Sequence, residues 1–225
     1  MKKVFLLGDS TCAVKEEEAR PETGWGEMFA PYLRDGWTLV NLARNGRSTE
    51  MILLEGIFYD CFWQAERGDW VLIQFGHNEN KKEVFRYTDP DGKFVFNLCY
   101  MAGNLLKKGV HVVFLSPISR RHFENGRAVS THFGYPEAMR RTAAELGLPF
   151  VELTEKTLAI LNETGDEESK KWFMNFPAGV YENWPDGKSD DTHLRPEGAS
   201  WIASLVYEGL RSCKADFLRQ EKDEQ

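Results

Sequence analysis

No apolar run in the 225 residues approaches the roughly 18–20 needed to cross a bilayer as a helix. The start, Met1-Lys2-Lys3-Val4-Phe5-Leu6-Leu7, is too short for a secretion signal core, and Gly8-Asp9-Ser10 follows at once. It reads as a first strand, and the expected location is cytoplasmic. Cysteine is scarce: Cys12, Cys61, Cys99 and Cys213 are far apart, with no Cys-x-x-Cys pair. That argues against a disulfide framework and fits a reduced protein. Cations are outnumbered, 28 against 35 acidic residues, for a net charge of −7, so nucleic acid is not the expected partner. There is no His-x-His, no His-Glu-x-x-His, no Walker-type loop, no internal repeat and no low-complexity segment.

What is present suits one globular domain over residues 1–225. Hydrophobic residues at 42% and aromatics at 13% support a packed core and argue against disorder. Compact apolar runs at Val4–Leu7, Thr38–Asn41, Trp70–Phe75, His111–Leu115 and Phe150–Leu153 read as buried strands. Helical spacing is found over Trp25–Leu33, Glu50–Phe58, Asn97–Lys107 and Tyr135–Leu146, with further helices from Thr154 and from Pro196 to about Leu210. Strands alternating with helices predict a parallel sheet covered on both faces, with any site at the carboxyl ends of the strands. Lys81–Phe94 and Asn175–Asp191 read as long loops.

Four segments fall at those strand ends. Gly8-Asp9-Ser10-Thr11 follows the first strand, where a serine either exposes its hydroxyl or caps a turn. Asn41 to Ser48 follows the second, and Gly46 there suits a positive-φ turn with an exposed N–H. Gly76-His77-Asn78-Glu79 follows the third, and the Asn78 amide is a possible donor. Asp190-Asp191-Thr192-His193 precedes the last helix. A carboxylate three residues before a histidine can fix its tautomer and leave Nε2 as a base; a surface or metal-binding histidine is the competing reading. Cys12, beside the serine, is either a reactive thiol or a small buried residue.

Taken together the four blocks resemble the SGNH hydrolase superfamily, with Ser10, Gly46, Asn78 and His193 at its name-giving positions. Within it, Gly8–Thr11, Asn41–Ser48, Phe75–Asn78 and Asp190–Leu194 look like rhamnogalacturonan acetylesterases, with Glu79 standing where that branch usually has Asp. The resemblance implies a flavodoxin-like fold, a three-layer α/β/α sandwich around a parallel sheet of about five strands. It implies Ser10 as nucleophile, His193 as base and Asp190 as its orienting acid, with Asp191 the adjacent alternative. It implies an oxyanion hole from Ser10, Gly46 and Asn78, and no metal or cofactor. The partner it implies is an acetylated oligosaccharide, with no membrane partner.

A pectic substrate carries uronate charge, and basic residues stand on the same strand-end loops: Arg44, Arg47, Lys81, Lys82, Arg120, Arg121 and Arg195. Arg47 is the favoured carboxylate contact, against the alternative of a solvated basic face. His77 is a candidate substrate contact or a residue that orients the Asn78 loop, against the equal alternative of a buried structural histidine. Trp184 is the favoured stacking residue for a sugar ring, ahead of Phe133 and of Trp25, which reads as core. The alternatives kept open are an esterase for another acetylated glycan such as xylan, a broad short-chain esterase, or a carbohydrate-binding protein on the same fold.

Overall fold

The computed structural model describes residues 1–220 apart from Val84. Its centre is a five-stranded parallel sheet built from β1 (Lys2–Gly8), β2 (Trp37–Asn41), β3 (Trp70–Gln74), β4 (His111–Leu115) and a short β7 (Phe150–Val151). Two short strands, β5 (Phe123–Glu124) and β6 (Arg127–Ala128), form a ribbon outside it, and β8 (Phe173–Phe176) and β9 (Lys188–Leu194) form an antiparallel hairpin. The helices are α1 (Thr49–Leu54), α2 (Ile57–Gln64), α3 (Lys93–Lys107), α4 (Tyr135–Leu146), α5 (Thr154–Thr164), α6 (Asp166–Ser169) and α7 (Pro196–Ser212).

The strand order is β2-β1-β3-β4-β7, every neighbour parallel. The two-residue side-chain period of a strand explains why both faces need cover. In β1, Val4 and Leu6 join one core while Phe5 and Leu7 join the other; β3 and β4 divide in the same way. Helices α1 to α4 supply the core around Phe5. Helices α5 and α7, with the turns around Trp25 and Phe29, supply the core around Leu6. This is the expected three-layer α/β/α arrangement. The order reverses between β1 and β3, and open parallel sheets form a crevice at the carboxyl ends of such a pair.

Three expectations need correction. Trp25–Leu33 is not one helix but two 3-10 turns, Trp25–Met28 and Ala30–Tyr32. Gly26 packs so closely that a Cβ there would meet Cys12 O and Asn41 Nδ2, and Pro31 removes a backbone donor. The helix expected over Glu50–Phe58 is two helices separated at Gly56, whose φ of +79° is left-handed. The stretch Asn175–Asp191 is irregular only over its middle, because its two ends pair as β8 and β9. Lys188–Leu194 is polar and lacks alternating apolar residues, so the pairing left no periodic signature. Among the described residues no helix is long and apolar enough to cross a membrane.

Candidate active site

Ser10 sits two residues beyond β1, in a turn held from inside. The Asp9 carboxylate takes the N–H and the hydroxyl of Thr11 through Oδ1, at 2.9 and 2.8 Å. The Asp9 carbonyl takes the N–H of Ala13 at 3.1 Å. Gly8 has no room for a side chain, because a Cβ would run into Cys12 Sγ. Cys12 is fully buried, and burial, with the Asp9 charge adding, pushes its thiol well up, so it packs and does not react. Ser10 itself is 7% exposed, with its Oγ 3.0 Å from His193 Nε2.

His193 and Asp190 come from β9, at an irregularity in the hairpin. Phe173 pairs with Leu194 and Met174 with Asp190, so Asp191, Thr192 and His193 bulge out between two adjacent positions of β8. Within the bulge, Asp190 Oδ2 lies 2.8 Å from His193 Nδ1. Its Oδ1 accepts the N–H groups of Thr192 and His193 at 2.9 and 3.0 Å. Burial works to raise the Asp190 carboxyl, but the bond and charge of His193 and these two N–H groups outweigh it. The carboxyl is held well below the ordinary carboxylate range.

The neighbouring acid is engaged elsewhere. Asp191 Oδ1 takes Arg121 Nη1 at 2.6 Å and Asn175 Nδ2 at 2.7 Å, and its carbonyl takes the Arg121 N–H. Arg121 also bonds Asp166. The geometry thus separates two adjacent aspartates: Asp190 faces the imidazole, and Asp191 fastens the hairpin to the loop after β4.

Gly46 occupies the turn after β2 with φ +75°. Among the described residues neither its N–H nor that of Ser10 has a partner. Asn78 uses one amide hydrogen on the Arg47 carbonyl at 3.0 Å, which fixes the side chain and leaves the second hydrogen to point elsewhere.

Three groups hold these loops together: Lys15 and His132, which no motif announces, and Glu79, the last residue of the third block. Lys15 is buried, with its ammonium on Ser10 O, Asn45 Oδ1 and Glu22 Oε1. Glu79 is fully buried and its carboxylate accepts the N–H groups of Thr49, Gly76 and Asn78 at 2.8, 3.0 and 3.1 Å. Glu79 therefore ties the turn after β3 to the start of α1. Burial, with the charge of Asp9 adding, pushes its carboxyl up to about 7, against the lowering effect of the Thr49 and Asn78 N–H groups. His132 lies with Nε2 3.4 Å from His77 Nδ1.

Three residues singled out for substrate contact are already occupied. Arg47 places Nε 2.8 Å from Glu55 and Nη1 on the Asn45 carbonyl, so sequence proximity to Gly46 did not leave its charge free. His77 is 3% exposed, pressed against His132, with its carbonyl taken by Arg120. Trp184 donates Nε1 to the carbonyls of Ala19 and Arg20, and Lys188 lies 4.3 Å over its ring. Trp25 is core, bonded to Gln74 at 2.9 Å. Phe133 is 70% exposed.

Comparison with known proteins supplies an independent line. The chain is 39% identical over 209 residues to the rhamnogalacturonan acetylesterase RhgT of Bacillus subtilis, covering 92% of this chain and 89% of that one. It is 25% identical over 227 residues to a rhamnogalacturonan acetylesterase of Emericella nidulans, covering 92% and 84%. Among solved structures, the YXIM protein of Bacillus subtilis superposes with a TM-score of 0.82 at 19% identity, over 96% of this chain and 58% of that longer one. A mutant of Axe2, an acetylxylan esterase of Geobacillus stearothermophilus, superposes at 0.62 with 14% identity, over 98% and 97%. At those identities the two structures speak for the fold. The family model that matches covers residues 6–201, from within β1 into α7, and so takes in the three strand-end blocks and the hairpin block Asp190–His193; this chain belongs to the GDSL-like Lipase/Acylhydrolase family.

Proposed function

We propose that the protein is a serine acetylesterase that removes acetyl groups from pectic, rhamnogalacturonan-derived oligosaccharides. The observation that carries the chemistry is the unbroken line from Ser10 Oγ to His193 Nε2 and from His193 Nδ1 to Asp190, at 3.0 and 2.8 Å. The substrate follows the 39% identity to the Bacillus subtilis enzyme.

In this reading His193 Nε2 takes the Ser10 proton as Oγ attacks the acetyl carbonyl. Asp190 keeps Nδ1 protonated and stabilises the imidazolium that forms. The N–H groups of Ser10 and Gly46 and the free amide hydrogen of Asn78 receive the oxyanion. Each such donor is typically worth about 10²–10³ in kcat. Collapse expels the sugar hydroxyl, which takes the proton from His193. Water then attacks the acetyl-serine as the same histidine takes its proton; collapse breaks the bond to Oγ, which takes that proton back, and acetate leaves. No step calls for a metal or cofactor. The match across residues 6–201 supports a single domain doing all of this, and four free cysteines suit a reducing cytoplasm.

The test is acetate release from acetylated rhamnogalacturonan oligosaccharides, with acetylated xylan oligosaccharides in parallel and Ser10→Ala as control. Release from the pectic substrate that Ser10→Ala abolishes supports the reading. Equal release from both glycans keeps the esterase and discards the pectic assignment.

A further inference from the structure

The cations at this end of the sheet differ in what they already hold. Arg47 gives Nε to Glu55 and Nη1 to the Asn45 carbonyl, and Arg121 pairs with Asp166 and Asp191. Arg195 is spent on the Lys171 carbonyl. Arg120 gives its two terminal nitrogens to Thr131 and to the His77 carbonyl. Arg86 is placed differently. A Cβ built on Gly46 would lie 3.4 Å from Arg86 Nη2 and 3.8 Å from its Cζ, so the guanidinium hangs directly over the proposed oxyanion turn. Its Nε meets Glu83 at 3.1 Å, but Glu83 is 68% exposed, and such i,i+3 surface pairs contribute little. Neither terminal nitrogen of Arg86 has a partner among the described residues.

Other cations gather near Arg86 although the molecule carries a net negative charge. Lys81 is held below its ordinary value by burial first and then by the charges of Arg86 and Arg120. Beside Arg86, its chain neighbour Phe85 is 63% exposed and lines a cavity of about 340 Å³ with Met51, Leu54 and Glu55. A guanidinium next to an apolar hollow matches a chain in which uronate carboxylates alternate with deoxysugar methyl groups. The fork of an arginine also suits a carboxylate better than an ammonium does.

We propose that Arg86 is the carboxylate anchor of this site, binding the uronate of an acidic acetylated oligosaccharide while its ester faces Ser10. The inference rests on the deacetylase reading above. Its test compares an acetylated rhamnogalacturonan oligosaccharide with the same oligosaccharide after reduction of its carboxyl groups. Wild type prefers the acidic form in kcat/KM. Arg86→Gln cuts that preference about 10-fold, through KM, the low end of losing a hydrogen bond to a charged group. Arg86→Lys keeps part of it. Added salt shrinks the preference of wild type and leaves that of Arg86→Gln unmoved. Unfolding midpoints confirm that each variant is folded. A preference that survives Arg86→Gln, or a wild type that treats both forms alike, overturns the anchor and leaves the deacetylase standing. No acetate from either form overturns the deacetylase reading and the anchor with it.

Discussion

The ammonium of Lys15 lies 2.5 Å from the carbonyl oxygen of Ser10. The same nitrogen is 2.8 Å from Asn45 Oδ1 and 2.7 Å from Glu22, and its side chain is 1% exposed. One buried cation thus joins the serine turn to the turn bearing Gly46. Lys15→Met removes the charge at similar length and leaves Glu22 and two oxygens unmatched. Breaking one side of a buried pair costs about 3 kcal/mol or more. The expected outcome is lower stability in urea together with a fall in kcat. Lys15→Met with Glu22→Gln recovers much of the stability but not the rate. Recovery of both would show that the lysine only neutralises Glu22.

The two adjacent aspartates should separate cleanly. Asp190→Asn leaves the imidazole with the wrong tautomer and is expected to cut kcat by about 10³–10⁴. Asp191→Asn weakens the tie to Arg121, so it lowers the unfolding midpoint and changes kcat far less. Steady-state kinetics and thermal unfolding on the two variants decide the assignment, and equal kinetic losses would refute it.

The buried histidines predict an acid-side weakness. Burial, then surrounding positive charge, holds His77 and His132 well below 6.5: Arg120, His193 and Lys81 act on His77, and His77 and Arg120 act on His132, with Asp9 opposing. Below pH 6.5 the unfolded chain binds protons that the folded one refuses, so stability falls as pH drops from 6.5 toward the folded values. Glu79 works oppositely. Its folded value near 7 exceeds the ordinary 4.5, so its contribution declines as pH rises from about 4.5 to 7. Urea unfolding at pH 5 and pH 7.5 should show His132→Asn losing less than wild type on acidification, and Glu79→Gln losing more. Identical slopes in all three proteins would contradict the prediction.

Phe133 is exposed and carries a φ of +40°, a conformation that a bulky residue adopts only at a cost. It follows His132 directly, at the edge of the site. Phe133→Gly relieves the backbone, so the unfolding midpoint should hold or rise. If the ring stacks on a sugar, KM for the oligosaccharide rises in the same variant while hydrolysis of a small aryl acetate does not suffer. A KM that stays put would assign the strain to folding alone.

Much of this molecule was legible before its structure. The strands of the central sheet were, because a parallel sheet buried on both faces demands short continuous apolar runs; His111–Leu115 agrees to the residue, while the run Phe150–Leu153 pairs only over Phe150–Val151. The strand-end blocks were legible because turns, glycines and polar groups cluster there. Helix ends were less so, since Gly56 divides a run that spacing alone joins. The ties made by Lys15, Glu79 and Arg121 were not legible. Each joins residues distant in sequence, and a charged side chain in a chain read by itself looks like surface. The same blindness made Arg47 attractive: adjacency to Gly46 is a sequence property, while its pairing with Glu55 is a property of where α1 ends.

The hairpin bulge bears on how such a site can come into being. Asp190 and His193 are three positions apart, and their bond forms wherever that short segment adopts its shape. The bond from His193 to Ser10 spans 183 positions. Folding therefore has one remote distance to get right, not two. A hydrogen-bonded pair that assembles locally can be carried as a cassette on its hairpin. Damage to the scaffold should then appear first as a lengthened serine–histidine separation, with the aspartate still clasping its imidazole.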